Sequence, residues 1–258
     1  MTHPYLIGAA SPGVLAHRGS VSEALAAAGA VENSRAALAS AVRAGAEYLE
    51  TDCHLTSDGE VVLCHDPGLG RVFGDPRSVA EVTRRELGAL MADRGGLLTL
   101  EQALEEFPRT RFNIDVKASA AAEAVGRIVA PHGSRVLLTS FSDEYRTRAL
   151  GAAAAVSGSD RPATSPGRGR LIAVLVAVAS RSRPRVARAL SGLDALQIPE
   201  RRGPVRVLTR RLLDEARRLG IEVHVWTVND PRRMRELVEL GVSGVITDRT
   251  DLALDALG

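Results

Sequence analysis

Eight times along 258 residues a short β-branched or apolar run gives way to an amphipathic or Ala-rich run, and this alternation limits the possible folds more than any other property of the chain. Strand-like runs fall near 13–17, 47–54, 111–117, 135–140, 171–177, 194–198, 221–227 and 243–247, with a short extra run near 60–65. Helix-like runs fall near 33–44, 99–107, 119–131, 143–154, 184–191, 208–219, 231–240 and 249–257. Such alternation requires parallel strands joined by right-handed crossovers. Repeated about eight times in a chain of this length, it predicts an α/β single domain over 1–258, a closed (β/α)8 TIM barrel. An open dinucleotide-binding sheet is disfavoured, because no Gly-x-Gly-x-x-Gly follows an early strand.

Local signals mark the element ends. Asp230-Pro231 supplies an N-cap and a proline at the first helical position, and Gly220 and Gly241 stop the flanking helices. Residues 68–98 break the rhythm and are predicted to form a small insertion over the barrel mouth, after the second strand region. Residues 157–169, rich in Ser, Gly, Pro and Arg, are predicted to be a mobile surface loop.

Composition excludes several classes of function. With 33 basic and 31 acidic residues the net charge is +2, which gives no general electrostatic reason to expect nucleic acid or an anionic membrane. Aromatic residues make up 3%, too few for a base-stacking platform. No transmembrane segment is predicted, because the longest apolar run, Leu171 to Ala179, is too short to span a bilayer and reads as a buried strand. The N-terminus lacks the features of a signal peptide, so a cytoplasmic protein is expected. Cys53 and Cys64 are expected to be reduced core thiols, and the sequence carries no signal of oligomeric state.

The chemistry concentrates in one short stretch. Glu50 and Asp52 share a strand face, where two ionised carboxylates repel unless a cation lies between them; a hard divalent metal is the usual answer. His65-Asp66 follows within the same seventeen residues, and His17-Arg18-Gly19 ends the first strand. Asn113, Asp115 and Lys117 alternate along one face, and Lys117 is the only lysine in a chain that otherwise uses arginine. A compact ammonium contacts phosphate without the width of a guanidinium fork. These residue types together suit phosphoryl transfer.

The sequence His17-Arg18-Gly19, Glu32-Asn33-Ser34, Glu50-Thr-Asp52 through to His65-Asp66, then Asn113-Ile-Asp115-Val-Lys117, Val225-Trp226-Thr-Val-Asn229 and Gly244-Val-Ile-Thr-Asp248 resembles the glycerophosphodiester phosphodiesterase family over roughly its whole length. The resemblance implies a metal-dependent TIM-barrel hydrolase that cleaves glycerophosphodiesters to glycerol 3-phosphate and an alcohol. It makes Glu50, Asp52 and Asp115 ligands of one divalent ion, Ca²⁺ or Mg²⁺, with Glu32 and Asn33 in support. His17 and His65 become general base and acid, Arg18 and Lys117 hold the phosphate, and Trp226 lines the pocket for the alcohol. It further implies attack by a neighbouring glycerol hydroxyl, giving a cyclic phosphate that water opens. Gln197, near a strand end, is a candidate hydrogen-bond donor to the pocket.

Two departures from the family pattern stand out. Asp115 occupies a position where many members carry glutamate, and the proline often found before the Glu-Asn pair is missing. An aspartate there is similar to the sphingomyelinase D branch, so phospholipase D-like headgroup release is the alternative activity. A phosphate-binding barrel without catalysis is an alternative of another class, opposed by the presence of both histidines and all three carboxylates. A Cys2His2 zinc module built on Cys53-His54 and Cys64-His65 is opposed by strand alternation, which points Cys53 and His54 to opposite faces.

Overall fold

The computed structural model describes residues 2–8 and 11–258, which form an α/β barrel. Its strands are β1 (Gly13–His17), β2 (Tyr48–Leu55), β3 (Val61–Leu63), β4 (Arg111–Val116), β5 (Val136–Thr139), β6 (Ala163–Thr164), β7 (Ala195–Ile198), β8 (Arg201–Arg202), β9 (Val205–Arg206), β10 (Glu222–Val225) and β11 (Gly244–Thr247). Eight of them run parallel in the order β6-β5-β4-β2-β1-β11-β10-β7. The ring is brought to near closure between β6 and β7 by Asp194 N–H donating to Thr164 O at 3.0 Å and Gln197 N–H to Ser165 Oγ at 3.0 Å. Antiparallel β3 adds to β2, and β8 and β9 form a separate hairpin beyond β7.

Parallel strands covered by helices have no solvent face, so both side-chain sets are accounted for. Outward-facing residues such as Leu49, Phe112, Ile114, Leu196 and Val223 pack against the surrounding helices. Inward, Tyr5, Leu15, Tyr48, Leu137, Ala195 and Ile246 fill the lower barrel. The barrel is therefore packed at the bottom, and polar residues gather toward the carboxyl ends of the strands. Among the described residues no helix is long and apolar enough to cross a membrane.

The fifth strand of the barrel is not where the sequence pattern put it. Residues 171–177 lie in a helix, Arg168–Ala179, and the strand is the two-residue β6 inside the segment expected to be a mobile loop. Two tertiary contacts explain both differences. The Asp143 carboxylate accepts from Gly167 N–H at 3.0 Å and Arg170 N–H at 2.8 Å, capping the helix from outside its own segment. Asp194, held by both guanidinium nitrogens of Arg161 at 2.8 Å, accepts from Thr164 N–H at 2.8 Å and so fixes β6; residues 162–167 are buried. The insertion carries its own small core of Leu69, Val79, Val82, Leu87 and Met91, and its helix Arg84–Met91 starts with a Thr83–Glu86 capping box.

One helix contact is set by a missing side chain. Gly126 on the helix Ala122–Val129 faces the helix Asp143–Ala154, and a Cβ there would stand 2.2 Å from Ala149 O and 2.7 Å from Ala152 Cβ. Gly126→Ala is expected to destabilise the protein by about 1–3 kcal/mol through overpacking. The check is a lowered urea midpoint at unchanged slope; an unchanged midpoint would show that the two helices separate without cost.

Candidate active site

The polar residues form a connected network on β1, β2, β4, β11 and the loops after them. Arg18 adopts a left-handed conformation (φ 56°) and is followed by Gly19, where a Cβ would meet Ala37 backbone at 2.6 Å. This turn aims Arg18 N–H at Glu50 Oε2, 3.0 Å away, and Arg18 O at Asn33 N–H, 2.9 Å away. The guanidinium lies 3.0 Å from Glu32 Oε1 and 3.2 Å from Asp52 Oδ2.

Asp52 and Asp115 are register partners on β2 and β4. Lys117 Nζ stands between them, 2.9 Å from Asp52 Oδ1 and 2.6 Å from Asp115 Oδ2. Burial alone would lower the lysine, but the two carboxylates outweigh it and raise it. Burial raises Asp115, with Lys117 opposing, and Asp115 Oδ1 is buried without a partner among the described residues. Burial and the neighbouring Asp52 charge push Glu50 up to about 8.

Each histidine has Nδ1 tied to a carboxylate. His17 Nδ1 lies 2.6 Å from Asp248 Oδ1, and His65 Nδ1 lies 2.6 Å from Asp66 Oδ1. A carboxylate can only accept, so each bond fixes the Nδ1–H tautomer and leaves Nε2 free to exchange protons. Burial works to lower His17, but the Asp248 hydrogen bond and the Glu50 charge reverse the sign and raise it. Asp248 is correspondingly lowered, chiefly by that hydrogen bond. Arg71 from the insertion bonds both Asp66 and Glu32, tying His65 to the Arg18 side of the site.

Two aspartates are held by the same device. Asn33 Oδ1 accepts from Thr51 Oγ1 (2.6 Å) and Asp52 N–H (3.4 Å), while its Nδ2 donates to Asp52 Oδ2 (3.0 Å). Asn229 does the same for Thr247 Oγ1 (3.0 Å), Asp248 N–H (3.0 Å) and Asp248 Oδ2 (2.8 Å). Two Thr-Asp pairs, one within β2 and one at the end of β11, are thus clamped by two asparagines, one beside the lysine and one beside His17.

The sequence profile of the Glycerophosphoryl diester phosphodiesterase family matches residues 17–252, from His17 past Asp248. The chain belongs to this family. It is 36% identical over 250 residues to "Probable glycerophosphodiester phosphodiesterase 2" of Mycobacterium tuberculosis, an alignment covering 94% of this chain and 89% of that protein. A human protein, "Lysophospholipase D GDPD1", is 25% identical over 91% of this chain and 82% of its own length. The crystal structure of a glycerophosphodiester phosphodiesterase from Thermotoga maritima superposes with a TM-score of 0.70 at 27% identity, covering 94% of this chain and 96% of that one.

Within this phosphodiesterase barrel, the structure brings together Glu32, Asn33, Arg18, Asp52, Asp115 and Lys117 in one bonded cluster, with Glu50 and His17 adjoining it. A cavity of about 450 Å³ opens between His17, Glu32, Arg71, Arg94 and Asp248, and a smaller one adjoins His65 and Asp66. The insertion therefore lines the mouth beside both histidines. Trp226 reaches the cluster through Phe141: their rings meet edge to face at 5.9 Å, and Lys117 Nζ lies 5.2 Å from the Phe141 ring. Gln197 points elsewhere, its Nε2 3.4 Å from His224 Nδ1 in the barrel interior. His54 Nε2 lies 3.1 Å from His65 O, a supporting role, and Cys53 and Cys64 are free thiols.

The ligand set named from the sequence is of the right kind but is not gathered. Glu50, Asp52 and Asp115 offer only oxygen donors, which suits a hard cation. Among the described residues, however, no three His, Cys, Asp or Glu side chains converge closely enough to hold one ion. Asp66 and Asp248, which the motifs contain without an assigned role, hold the two histidines, Asn229 holds Asp248, and Phe141 joins the site from outside every motif.

Asp248→Asn weakens the hydrogen bond that chiefly raises His17, so the histidine is expected to titrate at lower pH and the acidic limb of the kcat/KM profile to move with it. Turnover is expected to fall by roughly 10²-fold as the tautomer is lost. NMR titration of the His17 ring reads the shift directly, and an unmoved His17 would contradict this role for Asp248.

Proposed function

We propose that the protein hydrolyses glycerophosphodiesters to glycerol 3-phosphate and an alcohol by histidine general acid/base catalysis assisted by a divalent cation. The observation that carries the reading is the pair of histidine–carboxylate dyads beside an Arg18–Lys117 cationic cluster, in a chain whose family profile spans 17–252. A phosphodiester anion repels nucleophiles and loses a poor alkoxide, so cleavage needs cations on the non-bridging oxygens and proton transfer at both ends. His17 Nε2 takes the proton of the attacking glycerol hydroxyl. His65 Nε2 gives one to the departing alkoxide, and the reverse transfers serve the opening of a cyclic phosphate by water. Arg18 and Lys117 face the phosphate oxygens.

The case for a metal rests on charge. Glu32, Glu50, Asp52, Asp66, Asp115 and Asp248 crowd a site whose fixed cations are Arg18, Arg71, Arg94 and Lys117. The orphaned Asp115 Oδ1 points to missing positive charge, and burial followed by the Asp52 charge raises the neighbouring Glu50 carboxyl. Glu50, Asp52 and Asp115, which offer only oxygen donors, would hold one Ca²⁺ or Mg²⁺, and the ion would withdraw charge from the phosphoryl oxygens.

A second reading, phospholipase D-like cleavage of a lysophospholipid, draws on the apolar Phe141–Trp226 wall beside Lys117 and on the human relative's name. A panel containing glycerophosphocholine and lysophosphatidylcholine separates the two.

Purified protein is expected to release glycerol 3-phosphate from glycerophosphocholine. His17→Ala and His65→Ala are each expected to lose roughly 10²–10⁴-fold in kcat. Activity retained in both would contradict the histidine roles, and activity unchanged by EDTA would assign the cation's part to Lys117 alone. A folded-state Glu50 value above the unfolded one means that stability is fullest below the ordinary carboxyl range and is lost as pH rises through about 8. Added Ca²⁺ or Mg²⁺ is therefore expected to raise the Tm, more at pH 8 than at pH 5, and Glu50→Gln is expected to remove that pH dependence.

A further inference from the structure

The net charge of +2 conceals a strongly asymmetric segment. Residues 161–193 contain seven arginines and no acidic residue, and the apolar run Leu171 to Ala179 lies in their midst. Arg161 is paired with Asp194, and Arg170 is held by backbone carbonyls of Ala189 and Ser191. Arg168, Arg181, Arg183, Arg185 and Arg188 make no ion pair among the described residues. Arg168, Arg181, Arg183 and Arg185 bracket the two ends of the helix Arg168–Ala179, and all four are exposed.

That helix is apolar on its outer face as well as its inner one. Val174, Ala177 and Val178 pack into the core, yet Ile172, Ala173, Val176 and Ala179 are exposed. Among the described residues six large hydrophobic side chains are exposed, and four of them, Phe141, Ile172, Val176 and Val205, lie in this sector. Phe141 O accepts from Arg168 N–H at 3.0 Å, so the helix begins at the aromatic wall beside Lys117. Val205 tops the β8–β9 hairpin with exposed Arg202 and Arg206, and the residues after it, Val207 and Leu208, share a core with the inner face of the helix.

An apolar helix face rimmed by unpaired arginines has the chemistry of an anionic lipid surface, with aliphatic side chains among acyl chains and guanidinium groups at headgroup phosphates. A second copy of this chain would bring two arginine sets together, and nucleic acid would leave the aliphatic face uncovered. We propose that this sector, from Phe141 through the helix Arg168–Ala179 to the β8–β9 hairpin, docks the barrel on anionic lipid.

The test is co-sedimentation with vesicles, which needs no turnover and so stands apart from the proposed activity. The protein is expected to sediment with phosphatidylcholine vesicles containing phosphatidylglycerol, less so in high salt, and far less with phosphatidylcholine alone. Each arginine near an anionic surface is worth roughly a fivefold change in partitioning, so Arg183→Glu/Arg185→Glu is expected to lower binding by at least about tenfold. Ile172→Glu/Val176→Glu is expected to do likewise, with both variants keeping the wild-type Tm because the four side chains are exposed. Wild-type protein left in the supernatant, equal binding to uncharged vesicles, or variants that bind as wild type would overturn the proposal. So would a dimer split by Ile172→Glu/Val176→Glu, or preferential binding to duplex DNA.

Discussion

Buried negative charge at the carboxyl ends of β2 and β4 governs the upper half of this barrel. Asp52 and Asp115 stand opposite each other in register, and ionised carboxylates so placed repel unless cations and donors surround them. The Lys117 ammonium answers the two on one side, and Arg18 with the Asn33 amide answers Asp52 on the other. The left-handed turn at Arg18, the close approach at Gly19 and the placement of Asn33 all serve that arrangement. An anionic diester would find its cations already oriented, although every one of them is also engaged by a carboxylate.

Much of this was legible because barrel sites obey two simple rules. Alternation gave the inward face of β2 and β4, and the carboxyl-end rule gave the position of His17, Asp52, Asp115 and Asp248 along the axis. The solitary lysine stands between two register partners, its ammonium 2.9 Å from Asp52 Oδ1 and 2.6 Å from Asp115 Oδ2. What local pattern could not supply were contacts made across the fold. The helix Arg168–Ala179 has β-branched residues at alternate positions, Ile172, Val174, Val176 and Val178, and takes its cap from Asp143, so its nine-residue apolar run reads as a strand. Strand β6 is two residues long and is fixed by Asp194. Gln197 shows the same limit: its strand position is near the mouth, and its amide lies 3.4 Å from His224 Nδ1, a contact made across to the neighbouring strand.

A helix with no polar face normally lies wholly inside a protein, and one that is exposed along half its surface marks a place where something else is in contact. The arginines around it and the aromatic wall at its start connect that outer surface to the site, so substrate delivery and cleavage would share one side of the barrel.

By the proposed mechanism, the carboxylates of β2 and β4 lack one divalent positive charge. Calorimetric titration of the protein with Ca²⁺ at neutral pH, in buffers of different ionisation heat, measures both the ion bound and any proton released. One ion per chain with release of a proton, and loss of that release in Glu50→Gln, is the predicted result. Absence of binding, or binding with no proton exchanged in the wild-type protein, would contradict the account.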